Sequence, residues 1–165
     1  MLKKIIFIFF LILISTKSLL AEWNLENGKI STPKNYDVGK LSKFQKGIKL
    51  TKSGEKLEKK KKIKKAIKKY EKALEYFLAA NKKMQGDVEI LSYLGFISVK
   101  LGNIKNAEIY YLLGLSIDPV HVEINGHLGE LYFRSNRIDL AHERLKILEN
   151  CHCIQYTFLK EIITQ

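Results

Sequence analysis

From residue 56 onward, apolar and polar positions follow one another with a helical period. In KLEKKKKIKKAIKKYEKALEYFLAANKK (56–83), Ile63, Ile67, Tyr70, Leu74, Phe77 and Asn81 recur at steps of three and four. All but Asn81 form an apolar stripe on one helix face. Lysines 59–62, 64, 65, 68, 69 and 72 flank that stripe, and their stems can cover apolar surface while the ammonium groups stay in water. Upstream, residues 22–40 place Gly28, Pro33 and Gly39 among polar residues with no sustained period, which predicts a flexible linker. At the other end, Tyr156, Leu159 and Ile163 are spaced for a short helix.

The second half of the chain repeats itself. Residues 88–121 align without a gap on 122–155: Leu94-Gly95 falls on Leu128-Gly129, Ala107 on Ala141, and Tyr111 on Leu145. Such an offset with these landmarks is the signature of a helix-turn-helix repeat. Gly95, Gly129, Ala107 and Ala141 are small where helices cross closely. Gly102-Asn103 and Asn136 suit turns that need a positive φ, and Asp118 is pushed out of the helical region by Pro119.

The chain resembles exported bacterial tetratricopeptide repeat proteins, most strongly over residues 88–155. That resemblance implies an all-α fold: an α-solenoid of antiparallel helix pairs with repeats at 88–121 and 122–155. A divergent first repeat occupies 41–87, where Ala73, Phe77 and Ala80 are in register but Lys60-Lys61 take the Leu-Gly position; Phe44–Gly54 is its candidate first helix. Residues 156–165 form a capping helix. It also implies a protein or peptide partner bound in a concave groove. Carried over by repeat position, the groove residues are Glu89, Ser92, Phe96, Val99 and Lys100, then Glu123, Gly126, Glu130, Phe133 and Arg134. Phe96 and Phe133 are either apolar anchors for the partner or packing between repeats. The carboxylate clamp known in some relatives is absent, because Ser92, Phe96, Gly126 and Glu130 occupy the comparable positions.

Two lysines, Lys3 and Lys4, precede an apolar run from Ile5 to Ile14 that closes on Ala21, which predicts a secretory signal peptide over residues 1–21 and a periplasmic destination. Cleavage would leave Glu22 first, with no cysteine nearby to accept a lipid. The formal net charge is +12, and the chain stays basic when Lys3, Lys4 and Lys17 are removed. The lysine-rich helix is a solvated face or, as a second reading of function, a site for anionic lipid or envelope polymer. Nucleic acid is not expected, since the aromatic residues of that helix lie on its apolar stripe.

Both cysteines, Cys151 and Cys153, flank His152. Neither a helix nor an extended strand converges all three on one metal, and no second ligand cluster follows at zinc-site spacing. Two readings stand for the pair: a disulfide, or two small side chains buried at the end of the solenoid. His121-Val122-Glu123 lacks the cysteine spacing of zinc deaminases, and no phosphate-cradling loop or nucleophile elbow is present. A non-enzymatic interaction or scaffold module of the cell envelope, without a cofactor, is the function expected.

Overall fold

The computed structural model describes residues 38–164. The expected leader over 1–21 and linker residues 22–37 lie outside the described residues. Among the described residues seven helices follow one another: α1 (Val38–Lys59), α2 (Ile63–Asn81), α3 (Val88–Lys100), α4 (Ile104–Ile117), α5 (Val122–Arg134), α6 (Ile138–Ile147) and α7 (Ile154–Ile163). Helices α1/α2, α3/α4 and α5/α6 pack as pairs, each second helix packs on the next first one, and α7 rests on α5 and α6. The fold is therefore the all-α solenoid that the repeat pattern predicts.

Local chemistry sets the boundaries. Asp87 caps α3 by accepting the Ile90 N–H at 3.1 Å. Gly102 (φ 77°) and Asn136 (φ 59°) make the left-handed turns between paired helices. Asp118 is extended before Pro119, and its carboxylate accepts the Val120 N–H at 3.2 Å. His121 then starts α5, its Nδ1 accepting the Ile124 N–H at 3.4 Å.

The first helix pair departs from the sequence reading in three ways. Helix α1 begins at Val38, inside the stretch read as linker, and it supplies the displaced first helix of the divergent repeat. The lysine run does not continue a helix: residues 60–62 turn the chain, with Lys61 at φ 56° and the Leu57 carbonyl accepting the Lys60 and Lys62 N–H groups. A solvent-exposed turn keeps these like charges in water. Finally, the buried face of α2 is Ala66, Tyr70, Ala73, Phe77 and Ala80, whereas Ile63 is 52% and Ile67 38% exposed. The reason is the close approach of α1. It meets α2 through Gly47 and Gly54, and a Cβ at Gly47 would sit 2.6 Å from the Phe77 ring. Small residues and flat rings fill such a contact, and branched side chains are displaced to its flank.

Two hydrophobic clusters form the core. One joins α2 and α3 through Tyr70, Phe77, Ile90, Leu94 and Ile97; the other joins α4, α5 and α6 through Tyr111, Leu115, Ile124, Leu128 and Ala141. Two polar clips tie successive pairs together. Lys100 Nζ and the Tyr70 hydroxyl both donate to the Glu58 carboxylate at 2.8 Å. Arg137 donates to both Glu108 carboxylate oxygens, at 2.7 and 3.0 Å, while its guanidinium lies 4.4 Å from the Tyr132 ring centroid. The Arg137 hydrogen bonds hold the Glu108 carboxyl below the usual carboxylate range despite partial burial.

The cap also begins earlier than expected, at Ile154 instead of residue 156. Leu159 of α7 is fully buried and seats against Gly129, and Gln155 covers Gly126.

A Cβ at Gly95 would collide with the Tyr111 ring. In an ordinary exposed helix, Gly→Ala stabilises by about 1 kcal/mol; here Gly95→Ala is expected to destabilise by about 1–3 kcal/mol through overpacking. Urea unfolding of the variant measures the sign, and Tyr111→Leu in the same chain should recover part of the loss.

Candidate functional site

The first helices of the pairs share one face, since α1 touches α3 and α3 touches α5. Two adjoining depressions line that face. One, about 290 Å³, is walled by Thr51, Lys52 and Glu55 of α1, Glu89, Ser92, Tyr93 and Phe96 of α3, and Glu123 and His127 of α5. The other, about 270 Å³, is lined by Phe96, Val99, Lys100, Ile104, Tyr111, His127, Glu130, Leu131, Arg134 and Ser135. Phe96 and His127 are common to both, with ring centroids 5.3 Å apart, and form the ridge between them.

The expected groove residues are thus only partly brought together. Glu89, Ser92, Phe96 and Glu123 border the first depression, and Phe96, Val99, Lys100, Glu130 and Arg134 the second. Gly126 faces α7, where a Cβ would meet the Gln155 side chain at 2.9 Å. Phe133 packs against the second core cluster, the packing alternative raised for it by the sequence, because its place on α5 falls on the buried flank. Two expected cations are already engaged: Lys100 with Glu58, and Arg134 Nε with Glu130 Oε1 at 2.8 Å. The second depression is consequently apolar with neutralised charges at its rim. The first carries three carboxylates, Glu55, Glu89 and Glu123, against one lysine, Lys52.

Sequence reasoning missed Tyr111, His127 and Tyr93 as groove residues. The last two occupy the same repeat position, one residue beyond Ser92 and Gly126, so shifting the inner register by one would have found them. Tyr111 is fully buried, and its hydroxyl has no hydrogen-bond partner among the described residues. Burial raises its pKa, assisted by the nearby Glu130 charge. An unpaired buried hydroxyl costs about 1–3 kcal/mol. His127 is largely enclosed by the Phe96 and Tyr111 rings. Desolvation lowers its pKa although Glu130 and Glu123 act the other way, so the imidazole is neutral at pH 7.

His121 lies in the turn after Pro119, as the repeat register places it, with Nε2 3.2 Å from Glu89 Oε1. No group of three or more His, Cys, Asp or Glu side chains is gathered for a metal among the described residues. Cys151 and Cys153 are joined by a disulfide with Cα atoms 5.1 Å apart. His152 between them takes φ 49°, a left-handed bend between the bonded cysteines.

A family model for the tetratricopeptide repeat matches residues 89–121, which comprise most of α3, all of α4 and the turn to α5. The chain therefore carries a tetratricopeptide repeat, a unit that generally mediates protein–protein interaction or scaffolding. No curated protein matches the chain.

The state of His127 gives a pH dependence. Its folded pKa is depressed, so the unfolded chain binds more protons as pH falls through the unfolded value of about 6.5. Stability should therefore decline between pH 7 and pH 5, before the carboxylates of Glu58 and Glu108 begin to protonate. Thermal melts across that range check it, and His127→Gln should flatten the slope.

Proposed function

We propose that the protein is a non-enzymatic binding module that holds a segment of a partner protein on the face shared by α1, α3 and α5. The observation that carries this reading is the Tyr111 hydroxyl, a buried donor without a partner lining an apolar depression of about 270 Å³. A peptide carbonyl that displaces the side chains closing over this hydroxyl would accept that hydrogen bond and offset the desolvation cost. An apolar side chain of the partner would rest against Phe96, Val99 and Leu131. A basic residue next to it would face Glu55, Glu89 and Glu123, where charge complementarity fixes direction and register more than affinity. The Lys3–Ala21 segment supports placing this binding in the bacterial cell envelope after export.

Two measurements test the reading. Purified mature protein should begin at Glu22 on N-terminal sequencing, and an intact Met1 would argue against export. A photo-crosslinker at Ser135, on the rim of the apolar depression, should give discrete adducts with envelope proteins. Phe96→Ala should reduce their yield at least tenfold, and Tyr111→Phe should reduce it about threefold or more while leaving the melting temperature equal or higher. Unchanged yields in both variants would sink the groove model.

A further inference from the structure

A second concave feature lies away from the groove, between α1 and α2. It is a furrow of about 530 Å³ lined by Ser53, Lys56, Leu57, Lys60, Lys65, Lys68, Lys69 and Lys72. The lining positions follow one rule on each wall: 53, 56, 57 and 60 on the α1 side, and 65, 68, 69 and 72 on α2. Both sets step by three, one and three, which places the α2 residues on a single helix face and Ser53, Lys56 and Leu57 on one face of α1, with Lys60 following at the start of the turn. Since seven residues of helix rise about 10 Å, six ammonium groups border a trough only that long. None of its lining residues is acidic, and none of the six lysines is paired with a carboxylate among the described residues. The sequence places these lysines, Lys56 apart, on the flanks of one helix; the turn at residues 60–62 folds them into two facing walls.

The shape and lining select among anions. A membrane surface calls for apolar side chains beside the lysines. The exposed apolar residues of α2, Ile63, Ile67 and Leu78, lie instead on the opposite flank of its buried face, a placement that follows from 100° per residue. Nucleic acid calls for rings on which bases stack, and no aromatic residue lines the furrow. What remains is recognition by charge alone along a narrow trough, by flexible ammonium groups that act on phosphate as point charges.

We propose that this furrow binds a linear polyphosphate chain, held between the ammonium groups of Lys56 and Lys60 on one wall and Lys65, Lys68, Lys69 and Lys72 on the other. Each phosphate brings its own negative charge, so a short stretch of chain matches the charge density of both walls. Binding releases counterions and weakens steeply with salt. This site stands independently of the groove, because none of its residues belongs to either groove depression.

The test uses the full chain and a medium-length inorganic polyphosphate, titrated by calorimetry at low and physiological salt. Lys56→Gln/Lys65→Gln/Lys69→Gln/Lys72→Gln is expected to weaken binding at least tenfold at low salt. It should also make the logarithmic salt slope shallower by about 3, as for four lost contacts to a single-stranded polyanion. The charge-matched control Lys49→Gln/Lys59→Gln/Lys62→Gln/Lys64→Gln removes four exposed lysines outside the furrow and should stay within about threefold of wild type. Circular dichroism confirms that both variants remain helical. Equal losses in the two variants would overturn the furrow as a site, and so would absence of binding at low salt. Tighter binding to anionic vesicles or to a single-stranded oligonucleotide, compared at equal phosphate concentration, would overturn polyphosphate as its occupant.

Discussion

Tyr111 of α4 lies across Gly95 of α3, so close that a Cβ there would collide with its ring. Gly95 follows Leu94 of the first hydrophobic cluster and Tyr111 belongs to the second, so this contact joins the two cores, together with Tyr110 packed on the first and Val88 and Val99 packed on the second. The same ring reaches His127 on α5, which in turn meets Phe96 on α3. The apolar depression therefore inherits its walls from a packing decision made between two helices. Its position depends on the absence of one methyl group. The hydroxyl at the end of that ring is the part that packing leaves unsatisfied.

Much of this was legible in the sequence because it rests on periodicity and on residues with restricted roles. The 88–121 and 122–155 repeats could be read from Leu-Gly pairs, alanines and turn residues, each of which has a steric reason to occur where it does. The first pair was harder. There Gly54 keeps the offset of 16 residues to Tyr70 that separates Gly95 from Tyr111, but it lies 41 residues before Gly95 instead of 34, and Phe77 meets Gly47 30 residues upstream, so the pair is out of step with the repeat period. Hydrophobicity alone then favoured Ile63 and Ile67 as core residues, although a contact that close accepts alanine and flat rings instead. The groove was legible as a face but not as a register. A shift of one residue along a helix turns a side chain by 100°, enough to exchange Gly126, which is closed off by Gln155, for His127 on the ridge.

Charge is distributed unevenly over this scaffold. Near the groove, Lys100 and Arg134 are paired, and Glu58 collects both a cation and a phenol. Those hydrogen bonds outweigh burial and keep the Glu58 carboxyl below its ordinary range. Between α1 and α2 the lysines meet no such partners. The first pair thus combines a tightly closed apolar seam with an electrostatically open furrow, and the seam supports the furrow: small residues bring the two helices together while the long side chains rise on both sides.

The two hydrophobic clusters are displaced by half a unit from the sequence repeats, one spanning α2 and α3 and the other α4 to α6. A repeat in the sequence is consequently not a piece that could melt alone. Helices α3 and α4, which one repeat encodes together, pack as a pair and lend side chains to each other's cluster, Tyr110 of α4 to the first and Val88 and Val99 of α3 to the second. In a linear array whose stability is a sum over neighbours, the thinner seam lies between pairs, where α4 meets α5. The apolar depression crosses that seam, with Val99 and Tyr111 on one side and Leu131 and Arg134 on the other, so a molecule resting in it would act as a splint between neighbouring pairs.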